Sequence, residues 1–352
     1  MLSPPGLTNQ ENVVQPLTST RDMKPFAEAR NVVALFRRIE AGKDTEGETF
    51  DFQLDEGGFD QIQSLLEQDP VLWGFVDDKI RLISRYDYDE EKRRLLVRRY
   101  SAIHQSFVGA VDDEIRRQLN TIRSGTDRKA RFAQKVHPMR SSTIRFAATA
   151  SAPFSKSRYD PDASFKHANA RYPGFIFEVS YSQKKGRVAR LAENYILDSG
   201  TSVRVIVTMN IEYGEPQSRR ASLSVWRPEL VESEDGPELH VVEEVVDEAF
   251  RDDQGNPVEH AGLRLRRSEF AYEGLAQREL GDDDAEIRIS GIQLCQYLDA
   301  AEEREQGAKS EDSIGNIRKR RQAPTPSRSE AVTSSDEGKY AEQEESCKSR
   351  RP

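Results

Sequence analysis

Apolar residues fall into distinct textures along the chain. Over residues 26–123 they recur at helical steps: Ile62, Leu65, Leu66, Leu72, Phe75 and Val76, continued by Ile80 and Ile83. A second stripe runs through Leu95, Leu96, Ile103, Phe107, Val111, Ile115 and Leu119. Such spacing predicts amphipathic helices. Residues 26–125 are therefore read as a helical region, serving as a scaffold or as a recognition or dimerisation module.

From residue 141 the runs become short and alternating. Strands are expected over 143–149 and 162–165. In Phe175–Tyr181 the residues Phe175, Phe177, Val179 and Tyr181 point one way, and Ile176, Glu178 and Ser180 the other. Val188, Leu191, Ala192 and Tyr195 fit one helical face, and Gly200 is a natural stop. Val203, Val205, Val207, Met209 and Ile211 alternate as a strand, with 223–226 as its hairpin partner. The expected order is strand, strand, strand, helix, strand, strand. Segments 240–250 and 263–270 flank the turn signal Asp253-Gln254-Gly255-Asn256-Pro257 and are expected to form an outer hairpin. Residues 287–304 are expected to hold a closing helix, with Leu294, Tyr297, Leu298 and Ala301 at helical spacing. The core is thus placed at 126–305, between a disordered leader (1–25) and a disordered tail (306–352) that are polar and aperiodic.

Composition narrows the function classes. Of 352 residues, 32% are charged and 36% hydrophobic, with a net charge of −9. The whole chain is no electrostatic sponge for nucleic acid. Basic residues nevertheless crowd over 116–145 and 184–190, so a local basic face is compatible with the acidic total. Two cysteines, Cys295 and Cys347, make no disulfide framework. No apolar run approaches the roughly 18 residues of a membrane span, and the first residues show no signal-peptide pattern. An intracellular protein, nuclear or cytoplasmic, is expected. The tail cluster Arg318-Lys319-Arg320-Arg321 is a candidate nuclear localisation signal. The histidines lack zinc-ligand spacing, and no glycine-rich phosphate loop or GxSxG element occurs, so no small-molecule cofactor is expected.

The chemistry concentrates in Asp160-Pro161-Asp162-Ala163-Ser164-Phe165 and Phe175-Ile176-Phe177-Glu178-Val179-Ser180. Glu178 sits among apolar neighbours in a strand that reads as buried. A buried carboxylate without a partner costs several kcal/mol, so it needs a counter-charge or a cation. Asp162 and Glu178 on adjacent strands would make a hard oxygen site suited to Mg²⁺. Asp160, two positions before Asp162, is a secondary metal ligand.

These residues resemble the PD-(D/E)xK nuclease superfamily, of restriction-endonuclease-like fold. Pro161-Asp162 matches the "PD" element and Glu178 the "(D/E)" element, over roughly residues 141–226. The resemblance implies an α/β (α+β) fold: a mixed central sheet flanked by helices, here with a helical N-terminal region and disordered termini. It implies Mg²⁺- or Mn²⁺-dependent hydrolysis of DNA phosphodiester bonds, with Asp162 and Glu178 as metal ligands. DNA is the implied partner, and a homodimer is a further expectation. The superfamily's lysine would stand at position 180, where this chain has Ser180. Lys184, then Gln183, are the substitutes closest in sequence. The alternative is a catalytically inactive module of the same fold that binds nucleic acid or a protein partner.

Overall fold

The computed structural model describes residues 27–43, 49–76, 84–140, 142–146, 157–181, 185–212, 218–234, 236–259, 261–281, 284 and 286–309. Expectations for the leader, Ile80, Ile83, residues 147–149, Gln183, Lys184 and the basic tail cluster lie outside the described residues. The chain divides into two units, Met1–Gln306 and Gly307–Pro352. The elements below belong to the first, apart from the end of the last helix.

The N-terminal part is a small two-layer assembly. Helices α1 (Ala27–Glu40), α2 (Gly58–Glu67) and α3 (Pro70–Gly74) cover a three-stranded antiparallel sheet. Its strands are β1 (Thr49–Gln53), β2 (Ser84–Asp89) and β3 (Arg94–Arg99), in the order β1-β3-β2. Val32, Leu35, Phe36, Ile62, Leu66, Tyr88, Leu95 and Val97 share its core. This corrects the purely helical reading of 26–125. Leu95 and Leu96 are not part of a helical stripe: Leu95 and Val97 point into the helices, and Leu96 and Arg98 point away. The period is two, as in any half-buried strand. The other face of this sheet is charged, carrying Arg85, Asp87 and Arg98.

The larger part is built on a six-stranded mixed sheet. After α4 (Ala102–Arg123) and α5 (Arg128–Gln134) come β4 (Val136–Pro138), β5 (Ala163–His167) and β6 (Phe175–Tyr181). Helix α6 (Lys185–Asp198) crosses to β7 (Val205–Ile211), followed by β8 (Ala221–Ser233) and β9 (Gly236–Arg251). The order is β4-β5-β6-β7-β8-β9. Only β6 and β7 run parallel; every other neighbouring pair is antiparallel. A parallel pair requires a crossover, and α6 supplies it. Gly200, at φ 56°, ends that helix region as the sequence predicts.

Both sheet faces are covered. Phe175, Phe177 and Val179 pack with Phe107, Val111 and Ile115 of α4, and with Leu294 and Leu298 further along the chain. Ile176 packs on the opposite side with Tyr159, Tyr195, Ile196 and Trp226. The alternation read in β6 thus divides two cores. In the region 143–149, Ile144 makes an isolated bridge to Tyr159.

The expected outer hairpin is replaced by different pairings. β9 turns back on β8 through Ser233 and Gly236, and β10 (Leu263–Arg266) pairs with β11 (Glu286–Ile289). The missed signal is Asp235-Gly236, a strong hairpin dipeptide between alternating strands. The signal at 253–257 does turn the chain. Asp252 Oδ1 accepts from the amides of Gln254 (3.0 Å) and Asn256 (2.7 Å), but the strands it separates join different sheets. Between β10 and β11 lie a 3₁₀ turn (Arg267–Phe270) and α7 (Glu273–Leu280). Ile287 belongs to β11, so the closing helix α8 (Gly291–Lys309) starts later than the sequence pattern predicts.

Candidate functional site

Asp162 immediately precedes β5, and Glu178 lies in the middle of β6. β5 pairs with β6 from Ala163↔Phe177, so the two acids are neighbours across the ladder. The amide of Val179 donates to Asp162 Oδ2 at 2.7 Å. From there the carboxylates are engaged from different sides. His104, on α4, reaches Asp162 Oδ2 at 3.0 Å through Nε2. Tyr195, on α6, donates its hydroxyl to Glu178 Oε1 at 2.9 Å.

The charged face of the N-terminal sheet closes over both. Arg85 of β2 donates to Asp162 Oδ1 at 3.2 Å and also bonds the Pro161 carbonyl. Arg98 of β3 donates to Glu178 Oε2 at 2.7 Å and to the Asp160 carbonyl at 2.8 Å. Asp87 pairs with Arg98 at 2.9 Å and accepts from the Asp160 amide at 2.8 Å. The Asp160 carboxylate is held by Arg158 at 3.0 Å, with that guanidinium 3.9 Å from the Tyr86 ring centroid. Asp87, Asp160, Asp162, Glu178, Arg98 and Arg158 are all buried.

Burial and neighbours set the protonation of this cluster. Burial drives Asp162 upward, but His104, Arg85 and Arg98 outweigh it and hold the carboxyl below the usual range. Burial dominates at Glu178 and raises it to about 8, against the pull of Arg98 and helped by Asp162 and Asp87. Burial also raises Asp87. Asp87, Asp160 and Asp162 thus face the guanidinium groups of Arg85, Arg98 and Arg158, with His104 beside Asp162.

This arrangement does not fit the divalent cation that the resemblance implies. All four carboxylate oxygens of Asp162 and Glu178 accept bonds from the protein. Asp160 is turned to Arg158 rather than toward a shared site. A dication would also have to sit beside guanidinium groups, a repulsion that low dielectric strengthens. Among the described residues, no three His, Cys, Asp or Glu side chains are grouped to hold a metal ion.

Ser180, at the position of the superfamily's lysine, lies on the Glu178 face and donates to Asn210 Oδ1 at 3.2 Å. Its neighbours there are Thr208, Ser222, Ser224 and Trp226, which line a cavity of about 210 Å³ whose described lining holds no basic side chain. A larger cavity of about 460 Å³ opens on the other side, lined by Asp162 with Arg85, His104, Arg116 and Arg140, and not by Glu178. The residues missed by sequence reasoning are Arg85, Asp87, Arg98, His104 and Arg158, and Tyr195 was read only as part of a helical face. A signal for the first was present: Arg85-Tyr86-Asp87-Tyr88-Asp89 alternates strictly, as a strand with one charged face would.

The chain matches no protein-family model, and no curated protein matches it. Among the described residues no helix is long and apolar enough to cross a membrane.

Proposed function

We propose that this chain is a catalytically inactive module of restriction-endonuclease-like fold that acts by binding a protein partner. The fold half of this reading is supported by topology. An antiparallel run β4-β5-β6, a crossover helix and a parallel β7 carry the Pro161-Asp162 and Glu178 elements in the expected order. The inactive half rests on one observation. Arg85 and Arg98 occupy the carboxylates that would otherwise hold the metal. The acids then serve as an internal anchor for the N-terminal sheet. A protein partner is favoured over nucleic acid because the chain carries a net charge of −9 and its edge strand β9 is strongly acidic.

The test is cleavage and metal binding with the full chain. Plasmid DNA, single-stranded DNA and RNA should remain intact with Mg²⁺ or Mn²⁺, and calorimetric titration with Mn²⁺ should give no binding heat. Asp162→Asn should lower Tm while leaving both results unchanged. Metal-dependent cleavage that disappears in a folded Asp162→Asn variant would overturn the reading in favour of a Mg²⁺-dependent nuclease.

A further inference from the structure

β7 accompanies β8 only as far as the pair Ile206↔Trp226. Beyond Trp226, β8 and β9 continue as a two-stranded arm, paired in regular register from Arg227↔Val242 to Ser233↔Gly236. Directly opposed residues share a face. One face therefore carries Leu230↔Leu239, flanked by Pro228↔Val241 and Glu232↔Pro237. The other carries Glu229↔His240 and Val231↔Glu238. The first face is largely apolar, yet Leu230 is 64% exposed. Among the described residues its root is covered, where Val241 packs against the cluster that holds Trp226 and Tyr195, and Leu239 is half-buried.

A bare two-stranded ribbon is marginal in water; it gains stability when its apolar face packs against a helix or further strands. The root is firmly held. Arg251 at the far end of β9 is fully buried against Glu302 at 2.8 Å, and Arg227 bonds Glu269 at 2.6 Å. The arm is thus a rooted projection whose apolar strip the described residues leave exposed at Leu230.

Charge selects the occupant. The Leu230 face carries Glu232 and, at its root, Glu243, and residues 229–244 as a whole contain six Glu and one Asp with no Lys or Arg. A second copy would set this acidic arm against its own like. An apolar stripe edged with lysine or arginine would instead match both the leucines and the glutamates around them. We infer that the β8–β9 arm is a docking surface for a basic amphipathic helix of a partner protein, seated on the Leu230–Leu239 face. This rests on the protein-binding reading above and names the surface that does the binding.

The probe is a synthetic amphipathic helix of Leu and Lys only, with Leu at helical spacing, titrated into the full chain and followed by fluorescence anisotropy. A peptide with Glu in place of Lys is the charge control. Saturable binding of the Lys peptide and none of the Glu peptide is expected. Leu230→Asp should weaken binding at least about tenfold, because it puts a charge at the centre of the contact. Val231→Asp, on the opposite face, should change it no more than about twofold. The two variants add the same charge to the same arm, so they separate docking on one face from general attraction to an acidic surface. Equal effects of the two variants, or no binding of the Lys peptide, would overturn the inference. So would sedimentation of the chain as a dimer that Leu230→Asp dissociates, since the occupant would then be a second copy. The cleavage assay reports on the inactive-module reading, whereas the peptide titration reports on this surface alone.

Discussion

At the scale of single residues, the arrangement turns on Glu178 and the guanidinium that meets it. A carboxyl buried this deeply keeps its proton unless its donors outweigh the lost hydration. Arg98 and Tyr195 reach one oxygen each, but Asp87 competes for Arg98. The outcome is a group raised from 4.5 to about 8. The folded chain therefore holds this proton more tightly than the unfolded one. Its contribution to stability is fully present below the unfolded value of 4.5 and is lost as pH rises through about 8. Glu178→Gln keeps the shape and cannot ionise. Melting curves of both proteins between about pH 5 and pH 9 should show the wild type losing stability relative to the variant as pH rises. A pH-independent gap would refute this. Asp162, with its carboxyl held low, contributes in the opposite sense, its share being lost only as pH falls below the usual carboxylate range.

At the scale of elements, close approach matters as much as charge. Gly174 leads into β6, and a Cβ there would meet the backbone of the 3₁₀ turn: Glu269 O and Phe270 C at 2.4 Å and Ala271 N at 2.6 Å. Those atoms are main chain and cannot swing aside. Gly174→Ala should therefore destabilise the fold by about 1–3 kcal/mol, the usual cost of overpacking, measured by urea denaturation. An unchanged midpoint would place the turn further away. The elements most legible in the sequence were β6, α6 and β7, because one face of each strand is apolar throughout while the other mixes in Glu178, Ser180, Thr208 and Asn210, which leaves a clear alternation. Glu178 was legible in a further sense: its setting demanded a counter-charge or a cation. The choice between them was not, because Arg98 lies 80 positions earlier in a stretch whose leucines imitate a helical stripe. The β8–β9 hairpin escaped for another reason. The strong turn signal at 253–257 drew the pairing away from Asp235-Gly236.

At the scale of the whole molecule, a buried polar cluster joins two parts that each have their own core. The N-terminal layers and the mixed sheet are separate apolar clusters. Between them run Arg85 to Asp162, Arg98 to Glu178, and the paired backbone bonds of Tyr88 with Arg158, both 2.9 Å. Parting them strands Arg85 from Asp162 and breaks the bonds of Arg98 to Glu178 and to the Asp160 carbonyl. Removing one partner of a buried pair costs about 3–5 kcal/mol, far more than the pair's net worth. Unfolding should therefore be a single event across both parts. The chain has two tryptophans, Trp73 in α3 of the N-terminal layer and Trp226 in β8 of the large sheet. Single-tryptophan proteins made by Trp226→Phe and Trp73→Phe each report one part. Once corrected for the effect of each replacement on overall stability, their urea transitions should coincide. In an Arg98→Ala background the two reporters should separate, with Trp73 changing at lower urea, because the N-terminal sheet loses its bonds to Glu178 and to the Asp160 carbonyl. Separate transitions in the presence of Arg98, or coincident ones in its absence, would mean that the ion cluster does not couple the two parts.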